Sequence, residues 1–154
     1  MQEKKDGAMY APKGRSKPVC APGDFPVGVN GLDHGHIYGM CNGLTEAGAE
    51  ITLVYDSDPA KVAQFQQAFP SAKAAASKDE VYASNVKMIA SASIPLDRGP
   101  LGVEAMRHGK DFFVDKPPLI TLEHLEQVRQ TVRETGQKFF CYFSERLHVE
   151  GSVY

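Results

Sequence analysis

The stretch VGVNGLDHGHIYGM, residues 27–40, decides the reading of this chain. It opens on a short β-type run, crosses a turn holding Gly31 and Gly35, and closes on apolar residues at helical spacing. A strand that runs through a glycine turn into a helix offers an anion backbone N–H groups and the positive end of a helix. We expect a strand over Val27–Asn30, a turn from Gly31 to His36, and a helix from Ile37 to Ala47 ended by Gly48. The spacing departs from G-x-G-x-x-G, because Asp33 and His36 stand where its second and third glycines would be.

Working outward, β-type runs alternate with helical ones, the pattern of parallel strands joined by crossover helices. The second strand is expected over Ile51–Tyr55 and ends at Asp56. Asp58 then caps a helix with Pro59 at its first position and Val62, Phe65 and Phe69 on one face. A weak third strand is placed near Lys73–Ala76 and a short helix near Lys78–Ser84. Val86–Ser93 reads as a buried central strand that Pro95 breaks. A helix over Pro100–His108, a strand over Asp111–Val114 and a rigid corner at Asp115-Lys116-Pro117-Pro118 follow. Thr121 caps the next helix, with Leu122, Leu125, Val128 and Val132 facing the core and Gly136 after it; Phe139–Phe143 supplies the sixth strand. The fold class is therefore α/β, a doubly wound parallel sheet of six strands in the Rossmann order 3-2-1-4-5-6.

Composition narrows the function. A chain of 154 residues with 42% hydrophobic side chains suffices for one domain with a core. A net charge of -2 with no concentrated basic stretch argues against nucleic acid as a partner. Apolar runs fall short of the ~20 residues that span a bilayer, and no secretory signal is visible, so no membrane partner is expected. Cys20, Cys41 and Cys141 are far apart and form no C-x-x-C pair, and we read them as reduced thiols of a cytoplasmic protein. Residues 1–24, rich in Pro and Lys and poor in bulky apolar side chains, read as a flexible leader, with Met9 an alternative start.

The chemistry converges on a dinucleotide. Asp56 ends the second strand 25 residues after Gly31, close to the ~20-residue offset at which a carboxylate meets the adenosine ribose. Such a carboxylate accepts from ribose hydroxyls and repels a 2'-phosphate, so NAD is expected ahead of NADP. Gly31, Asp33, His34, Gly35 and His36 line the turn; the histidines are offered as pyrophosphate donors, with His36 alternatively only starting the helix. No third ligand stands at a suitable spacing from them, and no metal is expected.

With the first strand, its turn, Asp56, Pro95 and the run GVEAMRHGKDFFVDKP over residues 102–117 in view, the chain resembles the N-terminal domain of the Gfo/Idh/MocA family of oxidoreductases. The resemblance covers residues 25–150. Its most specific piece is Asp115-Lys116-Pro117, which matches the family's Glu-Lys-Pro motif with the acid one methylene shorter. It implies that Lys116 assists proton transfer beside the nicotinamide and substrate, and it places Pro95 and Asp115 with the cofactor-binding residues. Independently, Lys116 follows the fifth strand at its carboxyl end, the edge where open α/β sheets bind ligands.

Departures from the family pattern are specific. The position at which many members carry a histidine after Pro95 is Gly99 here, and its neighbour Arg98 reads as a solvated loop arginine, with anion binding the alternative. Arg146 resembles the family's arginine after the sixth strand. Family enzymes continue into a second domain that completes the substrate pocket, so the chain is read as a Rossmann domain over 25–150 with its C-terminal substrate domain absent. The expected partners are a dinucleotide and, once a second domain completes the site, a sugar, cyclitol or related hydroxyl compound; a homo-oligomer is compatible. The rival reading is a non-catalytic nucleotide-binding or regulatory module that works with a partner subunit.

Overall fold

The computed structural model describes residues 17–144. Their elements run β1 (Pro26–Asn30), α1 (His36–Glu46), β2 (Glu50–Tyr55), α2 (Pro59–Ala68), β3 (Lys73–Ala74) and α3 (Lys78–Ala83). The second half follows with β4 (Met88–Ser91), α4 (Pro95–Arg107), β5 (Asp111–Asp115), α5 (Leu122–Thr135) and β6 (Phe139–Tyr142). All pairings are parallel, and the strand order is β3-β2-β1-β4-β5-β6, as the alternation of runs implied.

β1 is buried at all five positions because it is flanked by β2 and β4 and covered on both faces. Val27 and Val29 point to one face, where Ile37, Met40 and Cys41 of α1 and Val62 and Phe65 of α2 pack around them. On the other face Gly28 leaves room for α3: a Cβ there would stand 2.6 Å from Val81 Cγ1. A second cluster around Val81, Tyr82, Ile89, Ala105 and Phe112 covers that side. The crossover helices leave β1 and β4 in opposite directions, which opens a crevice at the carboxyl ends of these two strands.

Two expectations are corrected. The fourth helix begins at Pro95, not Pro100, with Ile94 extended before it (ψ 148°) and Pro95 in the first turn. Pro100 is tolerated inside because it removes only one of the earliest intrahelical bonds, and Gly99 before it has no Cβ to meet the proline ring. Arg98, expected in a solvated loop, therefore lies in the first turn of α4 and is buried. On α5, Leu122 and Leu125 are 81% and 37% exposed, so they do not face the core. The helix is rotated by about one position: Val128 and Thr131 are buried, and His124 sits over Gly99, whose added Cβ would come within 2.9 Å of His124 Cβ. Gly136 ends α5 with φ 72°, the left-handed stop expected of it. Within residues 17–24, assigned to the leader, Val19 N–H donates to Ala47 O at 2.8 Å and lies against the α1–β2 turn.

Phe65 is fully buried with its ring 4.8 Å from Phe69 and 5.7 Å from Tyr38. Phe65→Ala should lower the unfolding free energy by about 3–5 kcal/mol, read from urea denaturation. A loss under about 1 kcal/mol would show that α2 is not part of the cooperative core.

Candidate functional site

The turn after β1 is fixed from both sides by hydrogen bonds. Gly31 adopts φ +94°, donates to Tyr55 O at 3.1 Å and accepts from Ala92 N–H at 3.0 Å. A Cβ on Gly31 would stand 2.8 Å from Ser93 Cβ, so glycine is required here by its own backbone and by the approach of the β4 end. Gly35 differs: it has an ordinary helical φ of −60°, and nothing lies within 4 Å of the Cβ it lacks. It also caps α1 without any side-chain hydrogen bond. The open side of the turn is therefore at Gly35 and the first turn of α1.

On the β2 flank, Asp56 Oδ2 accepts from Leu32 N–H at 2.7 Å and its Oδ1 from Asp58 N–H at 2.9 Å. The carboxylate thus braces the turn, and the remaining lone pair on each oxygen is left for an external donor. Asp33 reaches across the crevice mouth: Oδ1 pairs with Lys61 Nζ of α2, and Oδ2 accepts from Ile94 N–H at 3.2 Å, beside Pro95. The hydrogen bond to Asp33 pushes the Lys61 pKa upward, and the nearby carboxylates of Asp56 and Asp58 add to it.

On the β5 flank the hub is Asp115, the last residue of its strand and 1% exposed. Its Oδ1 accepts from Lys116 N–H at 2.7 Å and lies 2.8 Å from His36 Nδ1. Its Oδ2 accepts from Arg98 Nη2 at 3.2 Å and lies 3.5 Å from His34 Nδ1. Arg98 also donates through Nε to Ser93 O (2.7 Å) and through Nη1 to Asp115 O (3.1 Å) and Pro117 O (2.9 Å). One buried guanidinium thereby ties the ends of β4 and β5 and the Lys116-Pro117 corner, a cis peptide, into one unit. Lys116 itself is exposed at that corner.

Tyr142, opposite Asp115 on β6, completes this wall with its ring 6.1 Å from that of His36. The thiols of Cys41 and Cys141 are unsuited to nucleophilic work. Burial pushes Cys41 up to about 12; burial, then the Asp115 charge, pushes Cys141 up to about 11 despite Arg98.

The structure brings Asp115 to His34 and His36, from which it lies far in sequence, and sets Asp33 against the residue before Pro95. Asp56 stands on the opposite flank, linked through Leu32. Sequence reading missed the burial of Arg98 and the place of Tyr142. Pro95 was the available signal for Arg98, since a proline favours the first turn of a helix. Arg146 lies outside the described residues.

Residues 27–143 match the GFO_IDH_MocA family, described as an oxidoreductase family with an NAD-binding Rossmann fold. The chain belongs to that family. No curated protein matches it. Among solved structures it is similar to an oxidoreductase candidate from Erwinia carotovora atroseptica SCRI1043, with 46% identity, a TM-score of 0.76, and coverage of 79% of this chain and 37% of that one. It shares its fold with a 3-ketoreductase mutant from Actinomadura kijaniata in complex with TDP-benzene and NADP (16% identity, TM-score 0.73, 83% of this chain and 41% of that one). It likewise shares the fold of the WlbA dehydrogenase of Chromobacterium violaceum in complex with NADH and UDP-GlcNAcA (16%, 0.72, 83% and 38%). The chain spans about two fifths of the length of these structures.

The residues present fit a dinucleotide. The uncapped N-terminus of α1 and the open space at Gly35 suit a pyrophosphate, and Asp56 suits a ribose. The carboxylate of Asp33 at a glycine position is drawn aside to Lys61 and Ile94. Among the described residues no helix is long and apolar enough to cross a membrane.

Arg98 and Asp115 are each almost fully buried, so removing the guanidinium leaves a carboxylate without its charge partner. Arg98→Met should cost about 3–5 kcal/mol of stability in urea denaturation. Adding Asp115→Asn should recover part of that loss. A double variant no more stable than the single one would show that charge compensation is not what Arg98 supplies.

Proposed function

We propose that this chain is the cofactor-binding half of an oxidoreductase that prefers NAD(H) to NADP(H) and acts on a hydroxyl group of a sugar, cyclitol or related compound. The observation that carries this reading is the pairing of an open, uncapped α1 N-terminus with a carboxylate, Asp56, on the adenosine flank of the same turn. A bound nicotinamide supplies the site with a hydride acceptor or donor. The backbone at Gly35 and the first turn of α1 hold the pyrophosphate, with His34 and His36 as further donors. Asp56 accepts from the ribose hydroxyls and disfavours a 2'-phosphate by charge.

Lys116 then stands beside the reacting end of the cofactor, at the carboxyl edge of β5. In its uncharged form Nζ of Lys116 would take the hydroxyl proton of an alcohol as it is oxidised and would return it on reduction. Arg98 and Asp115 hold the corner on which Lys116 rides. Orienting the substrate needs groups from an opposite wall, which we assign to chain beyond this domain, as the length of the solved relatives suggests. The three free cysteines accord with a reducing, cytoplasmic setting.

Fluorescence titration with NADH and NADPH tests the reading: NADH should bind at least about tenfold more tightly, a difference of ~1.4 kcal/mol. Asp56→Asn keeps an acceptor for Leu32 N–H while removing the charge, and should narrow the difference. Lys116→Met should leave NADH affinity unchanged, as expected of a residue that serves the reaction alone. Absence of saturable binding by either nucleotide contradicts the proposal, and equal affinities contradict the role of Asp56.

A further inference from the structure

The turn after β1 and the end of β5 bring together two histidines and one carboxylate, side chains of metal-ligating type. His34 lies in the turn, His36 is the first residue of α1, and Asp115 ends β5. One ligand atom from each falls within 4.8 Å of the others. A tetrahedral ion with bonds of ~2.0–2.2 Å separates neighbouring ligand atoms by about 3.3–3.6 Å. His34 Nδ1 stands 3.5 Å from Asp115 Oδ2, at that spacing, while His36 Nδ1 lies 2.8 Å from the other oxygen, Oδ1, at hydrogen-bond distance, so an ion would displace that proton and open the pair by about half an ångström.

A second observation points to a cation. His36 N–H donates to His34 Nδ1 at 3.2 Å, so this Nδ1 carries a lone pair and not a proton. The same lone-pair-bearing atom lies 3.5 Å from Asp115 Oδ2, and two acceptors so placed are held best by a positive charge between them. The ligands are also oriented in advance. Lys116 N–H and Arg98 Nη2 fix the carboxylate, and His34 N–H donates to Ala92 O at 3.0 Å to hold the turn. Outer hydrogen bonds of this kind characterise built metal sites.

We propose that His34, His36 and Asp115 form a three-ligand site for a divalent ion of borderline softness, of which Zn2+ and Co2+ are the representative cases. Two imidazoles and one carboxylate suit such an ion over Mg2+ or Ca2+, which favour all-oxygen sites. Both histidines bind through Nδ1 as neutral rings with the proton on Nε2, and the ion takes over the lone pair that His36 N–H now uses. His34 is 52% and His36 33% exposed on the side chain, so the fourth position opens to solvent, the arrangement of catalytic and not of structural zinc. The Arg98 charge beside Oδ2 and the positive end of α1 oppose the ion, which makes it exchangeable. The inference goes beyond the proposed cofactor role and does not depend on it.

The test uses the tag-free chain, freed of metal by chelator dialysis and titrated with CoCl2 while visible absorption and melting temperature are followed. One equivalent should give a saturable d–d spectrum of tetrahedral intensity and a raised melting temperature, both reversed by chelator; MgCl2 should do neither. His34→Ala and His36→Ala should each weaken binding by about tenfold or more, the range that even outer-sphere changes reach. The double variant, its fold checked by circular dichroism, should give no such spectrum. Cys141→Ser should leave the spectrum unchanged. A wild-type chain that shows no saturable spectrum, or a folded double variant that binds as the wild type does, overturns the proposal.

Discussion

The buried ion pair between Asp115 and Arg98 is the constraint on which the site depends. A carboxylate 1% exposed at the end of a central strand is stable only with charge and hydrogen bonds around it. Arg98 answers that need and, with its other donors, closes onto Ser93, Asp115 and Pro117 carbonyls. The ends of β4 and β5 and the corner carrying Lys116 are thereby set as one rigid edge. Because Asp115 also faces His34 and His36, the same carboxylate sets the β5 edge against the turn after β1.

The crevice so formed has two electrostatic halves. On the β2 side stand Asp56, Asp58 and Asp33, with Lys61 paired to Asp33; on the β5 side stand Arg98, Lys116 and the two histidines around one buried acid. The N-terminus of α1 lies between them and contributes a positive end without any charged side chain in its first turn other than what His36 can carry. An elongated ligand with a negative middle and a hydroxyl-rich end fits that division, which is the reason the family's cofactor class and the local chemistry agree. Gly35, with open space where a side chain would be, leaves a gap through which the middle of such a ligand could near the backbone.

The sheet order was legible because each strand is a short β-type run and each helix carries its own punctuation: Asp58 and Pro59 at α2, Thr121 and Gly136 at α5. What the sequence concealed arose where two local signals competed. Pro95 and Pro100 both mark a helix start, and choosing the later one left Arg98 outside the helix that buries it. On α5, Leu122 and Leu125 outrank His124 in hydropathy, yet the space above Gly99 admits the imidazole and rotates the helix. The approach of Asp115 to His34 and His36 has no signature in spacing, since the histidines follow β1 and the acid ends β5, two strands that both pair with β4 and not with each other. In the turn, Gly31 and Gly35 look alike on paper, and only the backbone separates the one needed for φ from the one needed for space.

The central claim is that a dinucleotide lies across the carboxyl edge with its pyrophosphate on the first turn of α1. An amide chemical-shift titration of the 15N-labelled chain with NADH tests it most directly. The account predicts the largest shifts at Gly35, His36 and Ile37, with a second set at Leu32 and Asp56 on the ribose flank. Shifts confined to α5 and β6, or none at saturating nucleotide, would contradict it.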